Sequence, residues 1–177
     1  MKGERKLHFL NIPAPMLPKT RCELLWLIGN GKHLGWKRSL PKVIADLGKP
    51  LPSNLLTWFK HNGYNVPYIK SSDASLILDY IAPGWQLEIN YIGDLTDKVA
   101  CKATLTLLCA EGHFSRSAMG SKDLRSSNGS DLWQDIEDCA FRRACACFGL
   151  GRYLEDSDIV RALILQKTGH PSTFERD

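Results

Sequence analysis

Hydrophobic and polar residues alternate most regularly in the middle of the chain. Every second residue is apolar over 85–91 and again over 99–109. Strict alternation is typical of strands that bury one face. The Glu111-Gly112 pair then predicts a tight turn, so residues 113–120 should form a third strand antiparallel to the second. The pattern predicts a three-stranded antiparallel sheet with one apolar face, which needs a cover.

Apolar residues recur at helical spacing both before and after the predicted strands in the sequence. Residues 73–82 predict one helix, and Asp131 is a candidate N-cap for a long helix that runs to Phe148. The apolar stripe predicted for this long helix consists of Leu132, Trp133, Ile136, Ala140, Ala144 and Cys147. Residues 53–61 predict a further short helix. The order helix, three strands, helix predicts an α+β fold, with a curved antiparallel three-stranded sheet packed on the long helix.

The region before this core is less regular. Three prolines among the first 18 residues interrupt any early element, and only residues 21–28 form a short apolar run. We therefore predict a basic N-terminal extension over 1–46, a core domain over 47–156, and a C-terminal helix and tail over 157–177.

No segment of the chain is apolar enough for a membrane. The longest unbroken aliphatic and aromatic run has five residues, Leu24 to Ile28, so neither a membrane-spanning helix nor a membrane partner is expected. The residues after Met1 lack the apolar core of a secretory signal. A cytoplasmic location is the resulting expectation.

Charge is distributed unevenly along the chain. The net charge is +4, but residues 1–70 contain 12 Lys or Arg and 3 Asp or Glu, whereas residues 71–177 contain 11 and 16. A basic half favours a polyanionic partner, above all a nucleic acid. The alternative is a solvated basic tail without a partner.

The six cysteines include no C-x-x-C pair, although paired close ligands are typical of zinc sites. We therefore expect small, buried, apolar residues in a reducing compartment, with no metal and no other cofactor.

Two adjacent arginines, Arg142 and Arg143, lie inside the predicted long helix and point about 100° apart. Arg142 falls on the polar side, one turn after Asp138, while Arg143 falls within the apolar stripe. Burying a charge within the apolar stripe costs free energy. Arg143 therefore either extends to the edge of the stripe and forms a structural pair, or it contributes to a functional site. Guanidinium groups bind phosphate bidentately. A nucleic-acid site would also use Lys98, Lys102, Lys122 and Arg125, with Trp58, Tyr68 and Tyr153 as stacking aromatics.

Two alternatives remain open at this level. Asp131, Asp135 and Asp138 share one helix face and could hold magnesium, as in a metal-dependent nuclease, although Asp is also favoured at helix starts. A three-stranded sheet with a long helix also occurs in double-stranded RNA or general nucleic-acid binding modules. No G-x-S-x-G motif and no phosphate-binding loop is present, so the protein is not expected to be an enzyme.

Two stretches, Asp138 to Ala144 and Phe148 to Leu154, resemble the sequence pattern "D-A-x-K-R-A … F-G-x-G-R-Y-L", which ends the domain of a known protein family. This ending belongs to bacterial and phage relatives of the Rad-fifty-two (RAD52) family of single-strand annealing proteins. Upstream, Pro67-Tyr68-Ile69 and Pro83-Gly84-Trp85 resemble the family's "Y-I" and "G-W" landmarks. The resemblance covers roughly residues 47–156.

The resemblance implies a protein that binds single-stranded DNA and anneals complementary strands in homologous recombination or DNA repair. It implies rings or helical arrays, no nucleotide, no covalent chemistry, and other recombination proteins as partners. In a bacterium the protein would be nucleoid-associated.

The resemblance also implies roles for individual residues. Arg142 and Arg143 match the basic pair that grips the backbone, and Lys98 matches a basic position at the start of the middle strand. Lys122 or Arg125 resembles a basic residue in the loop before the long helix. Lys60 resembles one on the first helix. Some relatives carry another basic residue at the position of Ala146. Here Arg152 or the basic extension could supply that positive charge.

Overall fold

A computed structural model describes residues 17–61, 64–95, 98–123 and 131–168. Its helices are α1 (Arg21–Gly29), α2 (Leu40–Leu47), α3 (Ser71–Ile81), α4 (Leu132–Cys147) and α5 (Ser157–Thr168). Its strands are β1 (Thr57–His61), β2 (Tyr64–Tyr68), β3 (Gln86–Leu95), β4 (Lys98–Cys109) and β5 (Gly112–Asp123). The predicted α+β order of helix, three antiparallel strands and long helix is confirmed.

The larger sheet has the order β3-β4-β5, with both pairs antiparallel. Leu87 of β3 pairs with Leu105 of β4, which pairs in turn with Arg116 of β5. A bulge interrupts the β3–β4 register between Ile92 and Asp94. The three strands are longer than the alternating pattern alone predicted.

The predicted helix over 53–61 is wrong. Ser53–Leu55 form a single 3-10 turn, and the residues after it form β1, which pairs antiparallel with β2 as a separate two-stranded sheet. The run Thr57-Trp58-Phe59 is β-branched and aromatic, a composition that fits a strand. A strand partner directly follows in the sequence, so pairing outweighs the weak helical signal.

The N-terminal region is more regular than predicted. α1 begins with a capping box in which Thr20 and Glu23 satisfy each other's backbone groups, and α2 follows. Leu24 and Val43 are buried in the same hydrophobic core as residues of the sheet and α4. The domain boundary at residue 46 stays a prediction.

α4 lies across β4 and β5 and buries their apolar face. Gly120 of β5 permits this approach, because a Cβ at this position would lie 2.3 Å from the carbonyl oxygen of Ile136. On another side of α4, Phe141 stacks on Trp85 with ring centroids 5.7 Å apart. α4 therefore contacts the sheet and a second layer of the core.

Two expectations about α4 are corrected. Asp131 occupies the N-cap position, but its side chain makes no capping hydrogen bond, so the cap role is wrong. Trp133, predicted to lie in the buried stripe, is 47% exposed, because it packs edge-on against Tyr91 at the outer strand β3. None of the helices in the described ranges is long and apolar enough to cross a membrane.

Candidate nucleic-acid interface

The two arginines of α4 have the reverse of their predicted environments. Arg142 is half-buried and Arg143 is exposed. Phe141 and Cys145 are also buried, so the covered part of α4 is wider than the predicted stripe and its centre is displaced from Arg143. The predicted stripe assumed that only one side of α4 is buried. In the structure α4 packs against the sheet on one side and stacks Phe141 on Trp85 on another.

Arg143 reaches the edge of the sheet. Its guanidinium donates a hydrogen bond of 2.9 Å to the backbone carbonyl of Met119 on β5. This contact orients the side chain without neutralising its charge, because the acceptor is a neutral carbonyl. The remaining N–H groups of the fork lie on an exposed residue and can donate to a ligand.

Arg142 is oriented by an aromatic ring. Its Nε donates to the carbonyl of Asp138 at 3.1 Å, and its guanidinium carbon lies 5.4 Å from the ring centroid of Tyr68. This distance is within the range of a cation–π contact. Tyr68 is held in turn by an edge-to-face contact with Phe59, with centroids 5.4 Å apart. The hairpin of β1 and β2 thus positions a guanidinium that α4 carries.

Both arginines line one shallow pocket of about 230 Å³. β2 and the residue after it line one wall, through Pro67, Tyr68 and Ile69. The exposed side of α4 contributes Cys139 and Ala146 beside the arginines, and the end is closed by Leu150, Gly151, Leu154 and Glu155. Ala146, the position where some relatives carry a basic residue, therefore lies in the same pocket. We call this surface the α4 groove.

The predicted lysines of the sheet lie elsewhere. Lys122 forms an ion pair with Asp135 of α4, at the β5 edge. Lys98 begins β4 and lies 3.7 Å from Asp123. Lys102 is exposed on the sheet face that points away from α4. None of these three lysines lines the α4 groove as described.

The remaining predicted residues are also dispersed. Lys60 lies on a strand rather than on the predicted helix, and alternation along β1 places it on the opposite face from Tyr68. Arg152 lines a different pocket of about 610 Å³ with Gly48 and Gly149. Arg125 lies outside the described residues.

One cation was missed. Arg116 of β5 donates a hydrogen bond to the carbonyl of Cys147 and lies 4.8 Å from the ring centroid of Phe148. It satisfies a carbonyl in the last turn of α4, where no intrahelical donor is available. The signal in the sequence was the period of two along β5, which places Arg116, like Lys122, on the same face as Phe114 and Ala118.

The alternative metal site receives no support from the geometry. Within the described ranges, no group of three or more His, Cys, Asp or Glu side chains could hold a metal ion. Asp135, one of the three predicted ligands, is engaged by Lys122.

The cysteines have mixed environments. Cys101, Cys109 and Cys145 are buried as predicted, whereas Cys22 is exposed and the other two are half-buried. Burial raises the pKa of the Cys145 thiol to about 12 and also raises the pKa values of Cys101 and Cys109. These three thiols stay protonated at neutral pH and are poor nucleophiles.

No family model matches the chain. Over 126 residues, 70% of this chain and 72% of the relative, it is 29% identical to "DNA repair RAD52-like protein 1, mitochondrial" of Arabidopsis thaliana. Over 121 residues, 66% of this chain and 61% of the relative, it is 30% identical to "DNA repair RAD52-like protein 2, chloroplastic" of the same plant. This similarity supports a relationship to the RAD52 family, as the motifs from Asp138 to Leu154 indicated. A bacterial or phage origin stays a prediction.

Proposed function

We propose that this chain acts in DNA repair and recombination by binding single-stranded DNA and annealing complementary strands. The observation that carries the proposal is the convergence of Arg142 and Arg143 in the α4 groove, beside the ring of Tyr68. The homology to two proteins named for DNA repair supports the same function.

The groove chemistry suits a phosphate backbone. Two guanidinium groups neutralise phosphates at any cellular pH and hold them through paired N–H donors. Backbone contacts position a strand without reading its sequence, so the base edges remain free. A second strand can then test for complementarity, and base pairing supplies the free energy. The proposal requires no nucleotide, no metal and no covalent step.

Self-assembly is part of the proposal. β3 and β5 are the outer strands of the larger sheet, and outer strands invite pairing with another chain. Leu87 and Tyr91 of β3 are exposed although they point to the apolar face. A neighbouring copy would cover them, and a repeated head-to-tail contact would close a ring or extend as a helical array. The grooves of successive copies would then form one longer basic track.

The cellular setting also belongs to the proposal. We expect other recombination proteins as partners and a cytoplasmic location, associated with the nucleoid if the host is bacterial. The two relatives are themselves named for mitochondria and chloroplasts.

The test of the groove is a pair of double variants. Arg142→Ala with Arg143→Ala should weaken binding to all single-stranded sequences alike. It should also lower the slope of log K against log salt by roughly 0.7 for each phosphate that the variant no longer binds. Lys98→Ala with Lys102→Ala removes equal charge from strand β4 and serves as the matched control. The proposal fails if the folded arginine variant binds with unchanged affinity, or if both pairs have equal effects.

An annealing assay tests the activity itself. Two complementary oligonucleotides should anneal faster with the protein, in the absence of magnesium, and the arginine variant should lose this acceleration. Preferential binding of duplex RNA without annealing would favour the general nucleic-acid module instead. Magnesium-dependent cleavage of the oligonucleotides would favour the nuclease.

A further inference from the structure

Two tryptophans, Trp26 of α1 and Trp36 in the segment between α1 and α2, are unusually exposed. Trp26 is 59% exposed and Trp36 is 61% exposed. Indole rings are mostly buried in folded proteins, so two exposed rings within eleven residues of chain require an explanation. Both lie before residue 47, outside the stretch in which the sequence motifs resemble the family.

Each indole has a nitrogen-bearing side chain as a neighbour. The Nζ of Lys32 lies 5.1 Å from the ring centroid of Trp26. The His33 ring meets Trp36 edge-on at 5.5 Å. Lys37 follows directly and has a φ of 50°, a left-handed conformation that is rare outside glycine. Trp26, Lys32, His33, Trp36 and Lys37 together define what we call the tryptophan–lysine surface.

The segment that carries this surface is anchored to the core. The backbone N–H of Leu34 donates to the carbonyl of Tyr80 at 2.9 Å. Arg38 donates to the carbonyl of Ile81 at 3.4 Å and forms an ion pair with Asp46. Trp36 itself lies against Gly84, where an added Cβ would be 3.0 Å from the ring. These contacts fix the segment, so ordering it on ligand binding would cost little free energy.

The charge of the segment is not internally balanced. Residues 17–49 contain seven Lys or Arg and two Asp or Glu. Both acids are already engaged, Glu23 in the capping box and Asp46 with Arg38 and Lys49. Within the described residues, neither Lys32 nor Lys37 has a carboxylate partner. The surface is therefore complementary to a polyanion that also offers flat rings.

We propose that the tryptophan–lysine surface is a second binding site for single-stranded DNA, separate from the α4 groove. Trp26 and Trp36 stack on unpaired bases, while Lys32 and Lys37 neutralise neighbouring phosphates. Aromatic rings interleaved with cations are the pattern by which proteins hold single strands without reading sequence. The choice of ligand rests on the proposed function, but the site does not depend on the groove.

The experiment compares substitutions that keep or remove the rings. Trp26→Ala with Trp36→Ala should weaken binding of a 30-nucleotide dT strand by about tenfold or more, since each stacked base contributes strongly. Trp26→Phe with Trp36→Phe keeps two aromatic faces and should retain most of the affinity. Leu25→Ala removes exposed apolar area from α1 without removing a ring and should bind like the unsubstituted protein.

Intrinsic fluorescence supplies a second readout. A base stacked on indole quenches its emission, so the double Phe variant should bind dT with less quenching than the unsubstituted protein. This comparison stays decisive if the Ala variant fails to fold. Undiminished quenching in the Phe variant overturns the proposal.

The remaining outcomes separate this site from the groove. If the folded Ala variant binds fully while the Arg142 and Arg143 variant does not, the second site is wrong and the proposed function stands. If the unsubstituted protein binds no single-stranded DNA, the proposed function fails first. If the Ala variant changes only the particle size in light scattering, the surface is a contact between copies and the proposal is overturned.

Discussion

β3 and β4 are neighbouring strands with the same alternation, yet their apolar residues have different fates. Leu105, Ala103 and Cys101 of β4 are completely buried. Their partners across the ladder are Leu87, Ile89 and Tyr91, which point to the same face. Leu87 is 37% exposed and Tyr91 is 56% exposed. Burial here depends on which strand α4 covers, and not on the strand's own pattern.

The position of α4 has an identifiable cause. Gly120 on β5 lets the helix backbone approach the sheet closely, and the small residues Ala140 and Ala144 are fully buried. The helix is thereby held over β4 and β5, and it meets β3 at the rim, where Trp133 and Glu137 contact Tyr91. The apolar face of β3 is therefore only partly covered within one copy of the chain.

The largest effect should come from filling the space at Gly120. Gly120→Val would place a Cβ 2.3 Å from the Ile136 carbonyl oxygen and 2.8 Å from the Ala140 nitrogen, both backbone atoms. We expect a loss of at least about 4 kcal/mol in unfolding free energy, because α4 must move off the sheet. Urea unfolding measures it.

Gly29→Ala is the matched control for Gly120, because nothing lies within 4 Å of an added Cβ there. The control should change stability little. An unaltered urea midpoint in Gly120→Val would show that α4 does not pack as described.

The second largest effect on unfolding free energy should come from a direct comparison of β4 with β3. Leu105→Ala should cost about 3 kcal/mol of unfolding free energy, because it leaves a cavity in a fully packed site. Leu87→Ala removes the same atoms from the same face at a partly exposed position, and should cost less than about 1 kcal/mol. Equal costs in urea unfolding would contradict the comparison.

Charged side chains allow the same comparison of covered and open positions. Burial alone would raise the pKa of Asp46, but hydrogen bonds from Lys49 and Arg38 and their charges outweigh it, so the pKa is lowered from 3.8. Asp46→Asn should cost about 2 kcal/mol at pH 7, because Arg38 is also largely buried. Lys98→Ala removes the other member of an exposed pair, 3.7 Å from Asp123, and should change the unfolding midpoint little.

The pH dependence has a definite sign. A lowered carboxylate pKa contributes stability above its unfolded value, and this contribution is lost as pH falls through the folded value. The difference in stability between the unsubstituted protein and Asp46→Asn should therefore shrink below about pH 4. A difference that stays constant down to pH 2 would refute the role of the charge.

The smallest effect on monomer stability should accompany a change in assembly. Leu87→Glu places a charge on the uncovered strand, where it remains solvated in a single copy, so unfolding of the dispersed chain should change little. If a second copy covers β3, this charge would be buried without a partner and the assembly should fall apart. Light scattering at micromolar concentration should show smaller particles. Unchanged particles would place the contact elsewhere.

Local patterns determined much of the fold. The alternation over 85–91 and 99–109, the turn at Glu111-Gly112 and the stripe of α4 were sufficient to predict three strands and a long helix. These features depend on backbone geometry, in which side chains repeat every 2 or about 3.6 residues wherever the element lies. The arginine pair was recognisable for a similar reason, since the helical period placed one of the two adjacent charges within the predicted apolar stripe.

The tertiary structure decided what surrounds each of these residues. It turned residues 57–61 into a strand because β2 pairs with them, and it half-buried Arg142 because Tyr68 lies against its guanidinium. It exposed Arg143 at Met119 and left Lys60 and Lys102 away from the groove. Such environments arise between residues far apart in sequence, and a period within one element carries no information about the element that packs against it.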